Sequence, residues 1–126
     1  MFLKLVIILN SLAYAYPSQL KVWKDDKYVQ VVIKEHAGLH LSDTCLKKSP
    51  VVCEAFSATK VATKPSLAKT GTAGHPASRY CHDKNGSVRI LISEDNKQYD
   101  YCLFKDGSMV DSWDLYYKHF PKQEIK

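Results

Sequence analysis

Arginine is almost missing from this chain. Arg79 and Arg89 are the only two among 18 basic residues, and the lysines are scattered and interleaved with Asp and Glu. Nucleic-acid surfaces cluster Lys and Arg on one face and use arginine forks on phosphates and bases. A formal net charge of +5 spread this way reads as a mildly basic, solvated surface, and no nucleic-acid partner is expected. Glycine is sparse too, at five residues. GSVRILI has no phosphate-cradling pattern, and no cofactor is implied. No apolar run approaches the ~20 residues that span a bilayer. Past residue 15 there is no amphipathic membrane-inserting helix and no hairpin with an apolar outer band, so stable membrane insertion is not expected. Cysteines spaced as zinc ligands, about two to four residues apart, are also lacking.

What is present begins with an address. MFLKLVIILNSLAYA has a short basic start at Lys4, a mostly apolar stretch from Leu5 to Leu12, and the small-x-small pattern Ala13-Tyr14-Ala15. Residues 1–15 are therefore expected to be a signal peptide, and the product to be exported, periplasmic or secreted. Tyr16, not cysteine, follows the expected cut, which argues against a lipid anchor. The remainder suits one small domain. Its four cysteines, Cys45, Cys53, Cys81 and Cys102, form an even set in a short exported chain, which implies disulfides. Four cysteines allow three pairings, and this pattern alone does not choose among them. The bend at Pro50 makes a Cys45–Cys53 bridge possible, where one straight helix would hold the pair too far apart.

Three pieces follow the address. Residues 16–56 read as a β-rich segment, in which KDDK forms a hairpin turn before Tyr28, Val29, Val31, Val32 and Ile33. Residues 57–74, rich in Ala, Thr, Lys and Ser, read as a linker or surface loop. Residues 75–121 are dense and well punctuated. Pro76 suits the first turn of a helix, Asn85-Gly86 its end, and SVRILIS and YDYCLFK alternate as strands. Tyr99, Tyr101 and Leu103 share one face of the second strand, with Cys102 and Phe104 on the other. Asp111 or Ser112 can cap a last helix that Pro121 stops.

GHPASRYC, Gly86, and then YDYCLFKDGSMVDSWDLYY resemble a family of small exported bacterial domains that carries a hemolysin label and is otherwise a domain of unknown function. The residues that carry the likeness are Pro76, Ala77, Ser78, Tyr80, Cys81, Cys102, Phe104, Asp106, Gly107, Ser108, Asp111 and Trp113, within about His75–Phe120. His75 stands where that family usually has Asn, and Asn85-Gly86 where it has paired glycines. The resemblance implies export, a compact α+β module and a Cys81–Cys102 pair; it supplies no catalytic residue. The fold class expected is a small disulfide-stabilised α+β domain, a C-terminal helix–hairpin–helix module (α-β-β-α) preceded by N-terminal β-strands.

No residue set adds up to an enzyme. Cys81 and His82 are adjacent, but neighbours on a helix point about 100° apart. His36 and His40 would share a strand face, a weak metal-ligand pattern, yet Gly38 falls between them and no metal site is expected. The aromatic residues Tyr99, Tyr101, Trp113, Tyr116 and Tyr117 form a core with a surface that could contact protein or glycan. The expected function is a non-catalytic binding or inhibitor module for an envelope or extracellular protein or a cell-wall target. The alternatives are a membrane-active toxin, as the family label has it, and a thiol hydrolase using Cys81.

Overall fold

The computed structural model describes residues 15–64 and 75–121. The expected signal peptide, save Ala15, and most of the expected linker lie outside the described residues. Six strands form the sheet: β1 (Gln19–Lys24), β2 (Lys27–His36), β3 (Leu39–Ser42), β4 (Ser87–Ile92), β5 (Gln98–Leu103) and β6 (Met109–Asp111). Three α-helices accompany them, α1 (Glu54–Ala58), α2 (Pro76–Asp83) and α3 (Ser112–His119), with a 3-10 turn at Asp43–Leu46.

The first two hairpins are set by local chemistry. Asp25 and Asp26 adopt φ of 51° and 64°, and Ala37 and Gly38 adopt 53° and 78°. Two successive positive φ angles make the turn whose twist matches that of antiparallel strands. The KDDK turn thus pairs Trp23 with Tyr28, and the second turn pairs His36 with Leu39.

The strands close on themselves in the order β1-β2-β3-β6-β5-β4, every recorded pair antiparallel. This overturns the expected C-terminal α-β-β-α module with N-terminal strands placed before it. Two pairings are responsible. β6, only three residues long, joins β5 to β3 through Cys102↔Val110 and Leu41↔Val110. β4 meets β1 through Lys21↔Ile92 and Val22↔Leu91. Strands from both ends of the sequence therefore make one closed barrel.

Period-two alternation gives the barrel two apolar sides. Leu20, Val22, Ile33, Leu91, Tyr101 and Met109 pack together with Val29, Val31, Tyr99 and Leu103 from the strands and with Tyr16 from the segment before β1, which makes them the barrel filling. Leu39, Leu41, Cys102, Phe104 and Val110 face the other way and pack under the helices with Ala55, Tyr80, Cys81 and Leu115. Both disulfides belong to this outer layer: Cys45–Cys53 and Cys81–Cys102, the latter tying α2 to β5.

Candidate functional site at the two barrel ends

The residues that carry the family likeness hold the outer layer in place. Pro76 occupies the first turn of α2, and Tyr80 and Ala77 are buried beneath it. The Tyr80 hydroxyl accepts from the Thr63 amide at 3.0 Å. Asp106 accepts the Ser108 amide at 2.9 Å and its hydroxyl at 2.5 Å with one carboxylate oxygen, and the Glu54 amide at 2.8 Å with the other. The Ser108 hydroxyl in turn accepts from the Ala55 amide at 2.9 Å, so the Asp106-Gly107-Ser108 turn satisfies the N-terminus of α1. Phe104 is buried, and Gly107 takes φ of 86° between it and Ser108. Asp111 caps α3 through the amides of Trp113 and Asp114. Ser78 contacts His75 at 3.3 Å, and His75 provides no side-chain cap. Cys81 is bonded to Cys102 and fully buried, whereas His82 is exposed, so their adjacency creates no working pair.

The five aromatic residues expected to share a surface are divided between layers. Tyr101 is 0 % exposed and fills the barrel, with Tyr99 packed against the same cluster. That removes Tyr101 from any contact surface. Tyr116 packs with Tyr80 and Phe120 under α3, while Trp113 stacks on Tyr117 with centroids 5.3 Å apart. The His36–His40 pairing also fails, because the turn at Ala37-Gly38 puts the two on different strands. His36 meets Phe56, and His40 meets Tyr16.

One end of the barrel is stoppered by a polar network. Tyr16 stacks on His40 with ring centroids 3.6 Å apart. Its hydroxyl donates to Asp111 at 2.7 Å and accepts from the Tyr101 hydroxyl at 2.5 Å. Asp114 accepts both the backbone N–H of His40, at 2.9 Å, and its ring Nδ1, at 2.7 Å. Burial first, and Asp114 second, push the Asp111 carboxyl up from the ordinary carboxylate range. Burial, aided by Asp111, drives both phenols far above the usual tyrosine value, so they remain proton donors. A protonated buried phenol is no nucleophile. His40, Asp111 and Asp114 bring ligand atoms within 4.8 Å of one another and are the described group whose geometry could hold a metal ion.

Among the described residues the opposite end is open. A cavity of about 420 Å³ is lined by Val22, Trp23, Lys24, Asp25, Arg89, Leu103, Gly107 and Met109. Val22, Leu103 and Met109 belong to the barrel filling and form its apolar floor. Trp23, 57 % exposed, stands at the rim in edge-to-face contact with Tyr28, itself 50 % exposed. Lys21 sits 4.7 Å from the Tyr28 ring centroid. Among the described residues Arg89 has no hydrogen-bond or ion-pair partner. In the sequence His40 stood out only beside His36, as a weak metal-ligand pattern, and its structural partners are Asp111 and Asp114 instead. Tyr16, Asp114, Trp23 and Arg89 did not stand out as part of a shared site; of these, Arg89 had a usable local signal, since it sits two residues before Leu91 on an alternating strand.

Fold and site together define a small closed barrel with a disulfide-clamped helical cover, stoppered at one end and open at the other. Residues 72–119 match the model of a family described as a domain of unknown function (DUF333). The match spans less than half of the chain, and its description carries neither an activity nor the hemolysin label. No curated protein and no solved structure showed a significant match to the chain. Among the described residues no helix is long and apolar enough to cross a membrane.

Proposed function

We propose that this protein is an exported, non-catalytic binding module whose recognition face is the open barrel end. The observation that carries this reading is the exposed Trp23 at the rim of an apolar-floored cavity that also holds Arg89, which has no partner among the described residues. Tryptophan and arginine are the residue types over-represented where a few side chains dominate binding. Trp23 and Tyr28 lie on a short hairpin built into a closed barrel, so little side-chain or loop freedom is lost on contact. The stopper supports the same reading, because its hydrogen bonds are internal and its phenols hold their protons. Two disulfides fit an oxidising compartment, consistent with a partner in the envelope or outside the cell.

The test is capture from envelope extracts and cell-wall fractions by immobilised protein, comparing wild type with Trp23→Ala. A saturable partner whose affinity falls about tenfold or more in the variant is expected. No saturable partner for the folded protein, or equal capture by the two, contradicts the reading.

A further inference from the structure

The chemistry of the mouth narrows what it can hold, an inference that rests on reading this mouth as the recognition face. Arg89 shares a side of β4 with Leu91, whose side chain lies in the barrel filling. Its guanidinium offers five N–H donors in a planar fork and meets no acceptor among the described residues. Below it the floor is Val22, Leu103 and Met109, and around it the rim is Trp23, Lys24 and Asp25. At about 420 Å³ the cavity falls within the roughly 300–1,000 Å³ range of small-molecule sites.

The geometry points to this mouth as a receptor for one carboxylate carried on an apolar tail. The guanidinium fork matches a carboxylate with two parallel hydrogen bonds. The apolar floor accepts the tail, and Trp23 stands at the rim, its ring against Tyr28 on the outer side of the hairpin. Asp25 limits the charge the site tolerates. Arg89 and Lys24 bring two positive charges to the lining and Asp25 one negative, so a monoanion leaves the lining neutral while a phosphate dianion leaves it net negative. Such a group can come from a fatty acid or from the free C-terminus of a chain ending in apolar residues. Both present the same carboxylate and tail.

The experiment uses the full mature protein, 15N-labelled, titrated with decanoate and with the peptide acetyl-Gly-Leu-Phe as its free acid. Decanol and the peptide amide are the uncharged controls, and inorganic phosphate is the dianionic one. Saturable shifts are expected at the Trp23 indole N–H and at the amides of Arg89 and Met109 with at least one of the two acids. Which acid binds distinguishes the lipid source from the peptide source. Arg89→Gln is expected to weaken binding about tenfold or more, because a charge-assisted pair is lost. Arg89→Lys, which keeps the charge and loses the fork, should fall between. An unchanged melting temperature for these variants establishes that the fold is intact. The inference is overturned if neither acid binds at millimolar concentration, if the uncharged controls bind equally, if phosphate binds more tightly than both acids, or if Arg89→Gln binds as wild type does. Failure here with Trp23-dependent partner capture intact overturns the carboxylate inference alone; failure of both removes the recognition face as well.

Discussion

Replacing Tyr16 with Phe deletes one oxygen, and the structure indicates what that should do. The phenol donates to Asp111, which is 7 % exposed, and receives the hydroxyl proton of Tyr101, which is 0 % exposed. Without it a buried carboxylate oxygen loses its side-chain donor and a buried hydroxyl loses its acceptor. Leaving buried polar groups unsatisfied costs about 1–3 kcal/mol. At roughly 4 °C per kcal/mol for a domain of this size, the melting temperature should fall by about 4–12 °C. The loss should also depend on pH. The Tyr16 hydrogen bond acts to lower the Asp111 pKa, so it favours the charged carboxylate. The penalty of Tyr16→Phe is therefore greatest at neutral pH and shrinks below about pH 4, where Asp111 is protonated in both states. Tyr16→Ala should cost roughly 3–5 kcal/mol, since it also removes the ring stacked on His40 and set against Tyr99. Thermal melts by circular dichroism at about pH 7 and about pH 3 read both effects. A Tyr16→Phe variant as stable as wild type at pH 7 would refute the stopper.

Other substitutions probe separate parts of the fold. Gly86→Ala would place a Cβ 2.3 Å from the Cys102 sulfur and 3.0 Å from that of Cys81, so urea unfolding should show a loss of about 3 kcal/mol. Ala37→Gly relieves a positive φ of 53° in the second hairpin turn, and a gain of about 0.5 kcal/mol is expected from the same assay. Asp111 has a folded-state pKa raised above its unfolded value, so its contribution to stability is full below the ordinary carboxylate range and is lost as pH rises through the raised value. Asp111→Asn keeps an N-cap residue and cannot ionise. The stability difference between variant and wild type should therefore move in the variant's favour as pH rises from about 4 to 7, and a constant difference would show that Asp111 does not titrate abnormally.

What could be read from the sequence was local. The alternation in SVRILI and YDYCLFK placed β4 and β5, and it placed Tyr101 opposite Cys102 before any partner was known. KDDK marked a hairpin, Pro76 a helix start and Asp111 a cap. What could not be read was non-local. β6 is a three-residue strand wedged between a turn and a helix cap, too short for any periodicity, and its contact with β3 rests on Leu41↔Val110. The seam between β1 and β4 joins Val22 to Leu91, and nothing near either residue announces the other. The stopper is assembled from Tyr16, His40, Tyr101, Asp111 and Asp114, which only barrel closure brings together. The likeness to a known family pointed to residues such as Asp106, Ser108 and Asp111, whose roles in the structure are to hold turns and helix ends.

The proposed recognition at the open mouth requires Trp23 and Arg89 to line one cavity, and they do so only because β1 pairs with β4. The most direct test is nuclear Overhauser contact across that seam in the full-length protein in solution. The account predicts backbone contacts for Lys21↔Ile92 and Val22↔Leu91, alongside those of β4 with β5. Contacts between β4 and β5 without any between β1 and β4 would mean the barrel is open, and would contradict both the stopper and the mouth.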